Sequence, residues 1–217
     1  MVGRTRIKVC GMTEEKEAEG AVNAGVDALG FIFVKESPRY VEPEKVRSII
    51  DKLPPFVDAV GVFVDEEVEE VNEIVRYCGL TVAQLHGTES PKYCDEISCR
   101  VVKAFHIRPE FVQSEHDPYY DPYYGVVEGF LLDTYHEKAA GGTGKTFDWH
   151  LLQKVRPPGP LILAGGLQPE NIAEAIAVAL PYAVDVNSGV ESAPGKKDLA
   201  KLARFVEEVR KADFDNR

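Results

Sequence analysis

Apolar and polar positions along this chain fall into two alternating patterns. Short runs rich in β-branched residues occur at 6–10, 28–33, 59–64, 82–86, 100–104, 129–133, 161–164 and 183–187, and such runs, bounded by turn signals, read as buried strands. Between them lie amphipathic stretches at 14–24, 44–52, 66–77, 91–96, 149–154, 169–179 and 198–211, with a weak one at 108–113. Strand alternating with helix is the pattern of β/α units around a parallel sheet, and eight such units predict a closed (β/α)8 TIM barrel of the α/β class. No linker or break in composition divides the chain, so residues 1–217 read as a single barrel domain. The fifth unit departs from the rule. Its connection, SEHDPYYDPYYGVVEG, holds two prolines and four tyrosines and reads as an irregular surface excursion in place of a full helix.

Composition narrows the function classes. A net charge of -11 argues against general affinity for nucleic acid or an anionic membrane surface, so an anionic ligand has to be held locally. No apolar run is long enough to span a bilayer, and the N-terminus lacks the apolar segment of a signal peptide, which predicts a cytoplasmic protein. The cysteines at 10, 78, 94 and 99 have neither zinc nor disulfide spacing and read as free thiols. His86, His106, His116, His136 and His150 form no metal-binding pattern either, so no metal site is expected.

A barrel puts its chemistry at the C-terminal ends of the strands, which brings a short list into view. The paired Gly165 and Gly166 join the seventh strand to its helix, with Pro169 suited to the first helical turn, and Ser188 and Gly189 follow the eighth strand. Barrels build phosphate sites from these two loops. Either pair alone reads as an ordinary tight turn, but together they favour phosphate. Cys10 closes the first strand two residues beyond Lys8, on the same strand face, and Thr13 before a run of glutamates looks like a helix N-cap. A helix end and a lysine both favour thiolate, although from this strand alone a buried core cysteine is the better reading.

Asp133 ends the apolar strand FLLD, where packing gives no reason for a carboxylate. Partial burial there would raise its pKa, as a general acid requires. Arg39, after the second strand, suits a carboxylate or phosphate, and a surface salt bridge about equally well. His86, at the fourth strand end, either orients a ligand or bonds locally, and ranks below Arg39. The glycines around Thr143 in HEKAAGGTGKTFDW form either a lid or a flexible connection.

KVCGMT, GFIFVKESPRYV, VGVFV, AQLHG, LLDT, GGTGKTFDW, LAGGLQPENI and DVNSGVE, in this order, closely resemble the phosphoribosylanthranilate isomerase family of tryptophan biosynthesis. The match runs almost end to end. The 114–129 excursion lies outside it, and Asn187 stands where the family often has serine. The resemblance implies an Amadori rearrangement of N-(5-phosphoribosyl)anthranilate, an aminoaldose, to the aminoketose 1-(2-carboxyphenylamino)-1-deoxyribulose 5-phosphate. By the same resemblance Asp133 is the general acid, Cys10 the general base and Arg39 the partner of the anthranilate carboxylate, with phosphate at Gly165, Gly166, Ser188 and Gly189 and no cofactor.

Two other readings stand beside it. The aminoaldose isomerase of histidine biosynthesis would use the same phosphate loops, but it resembles a two-carboxylate design with aspartate where this chain has Cys10. A silent phosphometabolite-binding protein would have little reason to keep both Cys10 and Asp133. The expected partner is a small phosphorylated substrate, and the assembly a monomer or a homodimer.

Overall fold

The computed structural model describes residues 4–106, 119–133 and 157–215. Its centre is a closed barrel of eight parallel strands in chain order, β1 (Arg6–Val9), β2 (Ala28–Ile32), β3 (Asp58–Phe63), β4 (Val82–Leu85), β5 (Arg100–His106), β6 (Gly129–Asp133), β7 (Leu161–Ala164) and β8 (Ala183–Val186). Closure runs through β1 and β8, where Lys8 lies beside Asp185. The helices are α1 (Glu15–Ala24), α2 (Pro43–Ile50), α3 (Val68–Cys78), α4 (Pro91–Asp95), α5 (Ile172–Ala179) and α6 (Leu199–Asp215). The expected helices at 108–113 and 149–154 and the glycine-rich 136–149 loop lie outside the described residues.

Strand alternation divides the core into two layers. Outward-facing Ile7, Val9, Leu29, Phe31 and Phe63 join the buried faces of the helices in one large cluster. In α3 that face is Val71, Val75 and Cys78, the three-and-four spacing that aligns side chains along one stripe. The inner layer is smaller: Cys10, Ile32 and Val62 on one side, Ala104, Leu131 and Ala164 on the other. Its centre is polar, with Lys8, Gln84 and Asp185 all buried.

Two residues read from the sequence as helix-start signals do not serve as such. Thr13 is not the N-cap of α1; Glu14 holds that position without a side-chain cap, and the Thr13 hydroxyl donates to the Gly195 carbonyl. It thereby ties the β1–α1 loop to a short hairpin of β9 (Glu191–Ala193) and β10 (Lys196–Lys197). Pro169 stands before α5, which opens only after Asn171. At α6 the chemistry is regular, because Asp198 Oδ1 accepts from the backbone N–H groups of Ala200 and Lys201 and satisfies donors the helix cannot.

The excursion before β6 is less superficial than its composition suggests. Tyr120 is 3% exposed, and Tyr119, Tyr120 and Tyr123 meet the Phe105 ring edge-on at 5.1, 4.9 and 5.2 Å. Each such pair contributes about 0.5–1.5 kcal/mol beyond area burial. Aromatic packing around a 3-10 turn at Asp121–Tyr123 thus covers the outer face of β5.

Candidate active site

A cavity of about 410 Å3 opens at the C-terminal ends of the strands, and all eight residues singled out from the sequence line it: Cys10, Arg39, His86, Asp133, Gly165, Gly166, Ser188 and Gly189. A second cavity of about 200 Å3 lies at the opposite end of the barrel, walled by Val60, Val82, Val102 and Ile162. Lys8 lines the lower cavity, Asp185 the upper one and Gln84 both. The polar layer at the barrel centre therefore forms the floor of the upper cavity.

Cys10 stands on this floor. It is 5% exposed, and its backbone N–H donates to the Val186 carbonyl at 2.8 Å, which continues the β1–β8 pairing to the strand end. The expected lowering of the thiol pKa is not found: burial pushes it up, and the opposing pull of Lys8 is the weaker effect. Lys8 is largely occupied elsewhere, since its Nζ donates to Asp185 Oδ2 at 2.8 Å. Helix α1 contributes little, because it begins only at Glu15 and helix-end effects fade within a turn.

Across the barrel, Asp133 ends β6 between His106 and Ala164 in register and is partly exposed to the cavity. His86 Nε2 lies 3.5 Å from Asp133 Oδ2, and its other ring nitrogen is 3.4 Å from Gln84 Nε2. His86 therefore stands beside Asp133, where it can orient the carboxyl group.

Arg39 enters from the β2–α2 loop and is held by a carboxylate the sequence reading missed. Its Nε and Nη2 donate to Glu191 Oε1 and Oε2 at 2.9 and 2.7 Å. Burial works against the Glu191 carboxylate, but Arg39 and Lys197 outweigh it and keep its pKa below the ordinary value. Lys197 Nζ donates to Glu191 Oε1 at 2.9 Å and to Asn187 Oδ1 at 3.0 Å. The guanidinium is fixed by two parallel bonds, and its Nη1 makes no hydrogen bond to a described residue, which suits it to a planar anion.

The last wall consists of two turns. Gly165 and Gly166 adopt φ of 88° and 63°, the left-handed region that side chains avoid, and Asn171 closes this turn by donating from Nδ2 to the Gly166 carbonyl at 2.9 Å. Ser188 and Gly189 start a 3-10 turn directly after β8. A Cβ at Gly189 would overlap the Leu167 carbonyl oxygen, so the two turns touch through bare backbone. Such turns present N–H groups to an anion without a lysine or arginine. Among the described residues no group of histidine, cysteine and carboxylate side chains could hold a metal ion, and no helix is long and apolar enough to cross a membrane.

Missed by the sequence reading were Asp185, Glu191 and Lys197. A signal existed for Asp185: like Asp133, it interrupts an apolar strand, AVDV. Glu191 and Lys197 gave none, because their roles depend on a hairpin folding back onto Arg39 and Asn187.

Comparison with known proteins agrees with this fold. A family model described as N-(5'phosphoribosyl)anthranilate (PRA) isomerase matches residues 7–208. The N-(5'-phosphoribosyl)anthranilate isomerase of Geobacter sp. (strain M21) is 49% identical over 208 residues, covering 95% of this chain and 98% of its own. The crystal structure of phosphoribosyl anthranilate isomerase from Thermotoga maritima superposes with a TM-score of 0.83 at 41% identity, over 95% of this chain and 99% of that one. A structure of such an isomerase in complex with reduced 1-(o-carboxyphenylamino)-1-deoxyribulose 5-phosphate gives 0.79 at 39% identity, with the same coverage. On a family match spanning nearly its whole length, and with the barrel and cavity in agreement, this chain belongs to the N-(5'-phosphoribosyl)anthranilate isomerase family.

Proposed function

We propose that the protein converts N-(5-phosphoribosyl)anthranilate to 1-(2-carboxyphenylamino)-1-deoxyribulose 5-phosphate in tryptophan biosynthesis, with Asp133 as general acid and Cys10 as general base. One observation carries the assignment of roles: a thiol just past β1 and a carboxyl group at the end of β6 open into one cavity whose walls include two glycine turns and an arginine. Phosphate binds at Gly165, Gly166, Ser188 and Gly189, and the free edge of Arg39 takes the anthranilate carboxylate. These contacts anchor both ends of the substrate and leave its sugar carbons between acid and base.

Asp133, oriented by His86, protonates the furanose ring oxygen, the bond from that oxygen to C1 breaks, and an iminium forms. The Cys10 thiolate then removes the C2 proton, the electron pair flows into the iminium, and the enolamine tautomerises to the ketone. C1 is reduced and C2 oxidised within one molecule, so the reaction is an intramolecular oxidoreduction, with the substrate nitrogen as electron sink. A buried thiolate is a strong base, because the environment that raises its pKa also raises its proton affinity. Free thiols fit a cytoplasmic enzyme, and the chain acts as one catalytic domain.

The test follows anthranilate fluorescence while the purified protein acts on freshly generated phosphoribosylanthranilate. The unmodified protein should consume the signal, and Cys10→Ser and Asp133→Asn should each turn over roughly 100-fold or more slowly with little change in substrate binding. A variant that keeps its turnover would remove that residue from its role; a well-folded unmodified protein without turnover would exclude the reaction.

A further inference from the structure

A base buried as deeply as Cys10 poses a problem of charge. Loss of its proton to solvent would leave an anion in the barrel core beside a lysine already paired with a carboxylate, and buried charge without a dedicated partner is strongly disfavoured. We propose that Lys8, Asp185 and Cys10 form a charge-neutral triad in which the thiol proton passes to Asp185 while the Lys8 ammonium becomes the counter-ion of the Cys10 thiolate. The inference rests on the assignment of Cys10 as base.

Three features of the geometry support it. First, Lys8 and Asp185 are neighbours in register across the barrel seam, and Cys10 lies two residues above Lys8 on the same inward face. Secondly, Asp185 Oδ1 is buried without a hydrogen-bond partner, while Oδ2 holds Lys8 and the residue borders the same cavity as Cys10. A desolvated carboxylate oxygen left unpaired is unfavourable as an anion and well suited to a proton. Thirdly, β2 carries glycine where it passes this cluster: a Cβ on Gly30 would stand 2.9 Å from Cys10 Sγ and 3.0 Å from Lys8 Nζ. The missing side chain lets thiol and ammonium occupy the same pocket.

The surrounding charges agree. Burial pushes both Cys10 and Asp185 up, and the Lys8 ammonium, although opposed by burial, is held above its ordinary value by Asp185 and Cys10. From the β9–β10 hairpin Lys197 favours the thiolate, as does Arg39 from the β2–α2 loop, but both are tied to Glu191. His86, just past β4, and Asp133, at the end of β6, line the same cavity as Asp185 and act on it in opposite senses. The triad holds one positive and one negative charge before and after the transfer, so the interior hosts a rearrangement and no net charge.

The protons balance over the cycle. The Cys10 S–H bond breaks as an O–H bond forms on Asp185, and the S–H bond forms again when the substrate C2–H bond breaks. The triad then carries one proton more than at rest, equal to the one Asp133 gave to the ring oxygen. Its return to Asp133 through solvent restores the resting enzyme without a further reactant.

The test measures Cys10 alkylation by iodoacetamide against pH, read at the Cys10 peptide by mass spectrometry, together with kcat and KM. In Asp185→Asn, Lys8 has only the thiol to pair with, so the alkylation midpoint should fall by about one pH unit or more. In Lys8→Met/Asp185→Asn, a neutral replacement of the pair, the midpoint should rise by about as much, and kcat should drop roughly 100-fold with KM within about threefold. A pair uncoupled from the thiol would leave the midpoint in place in both variants, and a pair coupled to it only at rest would leave kcat in place in the double variant. A midpoint unmoved in both variants, or a double variant that keeps its kcat, would overturn the triad. Should Asp185→Asn not fold, the double variant decides alone through its midpoint and kcat. Alkylation needs no substrate, so opposite shifts in a protein that does not turn over would uphold the proton coupling and overturn only the reaction.

Discussion

Among the described residues, two lysines of the eight barrel strands are buried against carboxylates, and they lie on opposite faces of the strand layer. Lys103 shares the outward face of β5 with Val101 and Phe105, and Lys8 faces the barrel axis. Lys103 Nζ donates to the carbonyls of Leu85, Gly87 and Ala104 at 3.3, 3.0 and 2.9 Å and pairs with Glu89 at 3.2 Å. Glu89 in turn accepts from the backbone N–H groups of Asp65 and Gly87. Both partners are fully engaged, and they pin the turn after β4 to its neighbours. The Lys8–Asp185 pair is about as deeply buried but leaves one carboxylate oxygen unpartnered beside a cavity. Burial of an ion pair therefore does not by itself distinguish scaffold from chemistry; the completeness of its hydrogen bonding does.

The largest effect expected from this contrast is on stability. Lys103→Met leaves Glu89 charged and uncompensated and should cost about 3–5 kcal/mol in urea unfolding, with kcat of the folded protein nearly unchanged. A loss under about 1 kcal/mol would show that the outer pair is not a staple. Next come two glycines. Gly61→Ala would push a Cβ against Leu80 and Phe63 on the outer side, and Gly30→Ala would push one against Cys10 and Lys8. Both should destabilise by about 1–3 kcal/mol through overpacking, but only Gly30→Ala should also lower kcat, by roughly tenfold. Equal kcat in the two variants would dissolve the distinction.

A smaller effect separates Glu191 from both pairs. Its folded pKa lies below the ordinary 4.5 because Arg39 and Lys197 outweigh burial, so its stabilisation is fully present above about pH 4.5 and is lost as pH falls through the folded value. Unmodified protein should accordingly lose more stability on acidification than Glu191→Gln, whereas Glu191→Gln should show a higher KM at neutral pH because Arg39 loses its clamp. Parallel acid unfolding of the two would contradict this. The smallest change is expected at the exposed Arg204–Glu170 pair, where Arg204→Ala should shift stability by no more than about 0.5 kcal/mol in the same urea assay.

Local pattern carried most of the architecture. Eight apolar runs became eight strands with ends displaced by no more than two residues, because a parallel strand covered on both faces must be apolar almost throughout. Cys10, Asp133 and the paired glycines were visible as departures from that rule at strand ends. What local pattern could not supply was every property set by contact across the barrel seam. The direction of the Cys10 pKa is set by burial in the closed barrel, against a Lys8 that is paired with Asp185, 177 positions away. The tyrosines of the fifth unit looked superficial because nothing nearby in sequence shows that Phe105 waits to receive them. Thr13 reads as a cap until Gly195, 182 positions on, claims its hydroxyl.

The contact between Gly189 and the Leu167 carbonyl has a consequence for redesign. The turns after β7 and β8 meet as backbone against backbone, with no side chain between them to repack when one is changed. They behave as a mortise and tenon. A graft that replaces one turn alone would leave its mate without a seat, so the smallest transplantable unit of this cavity wall is the two turns together, cut from one donor.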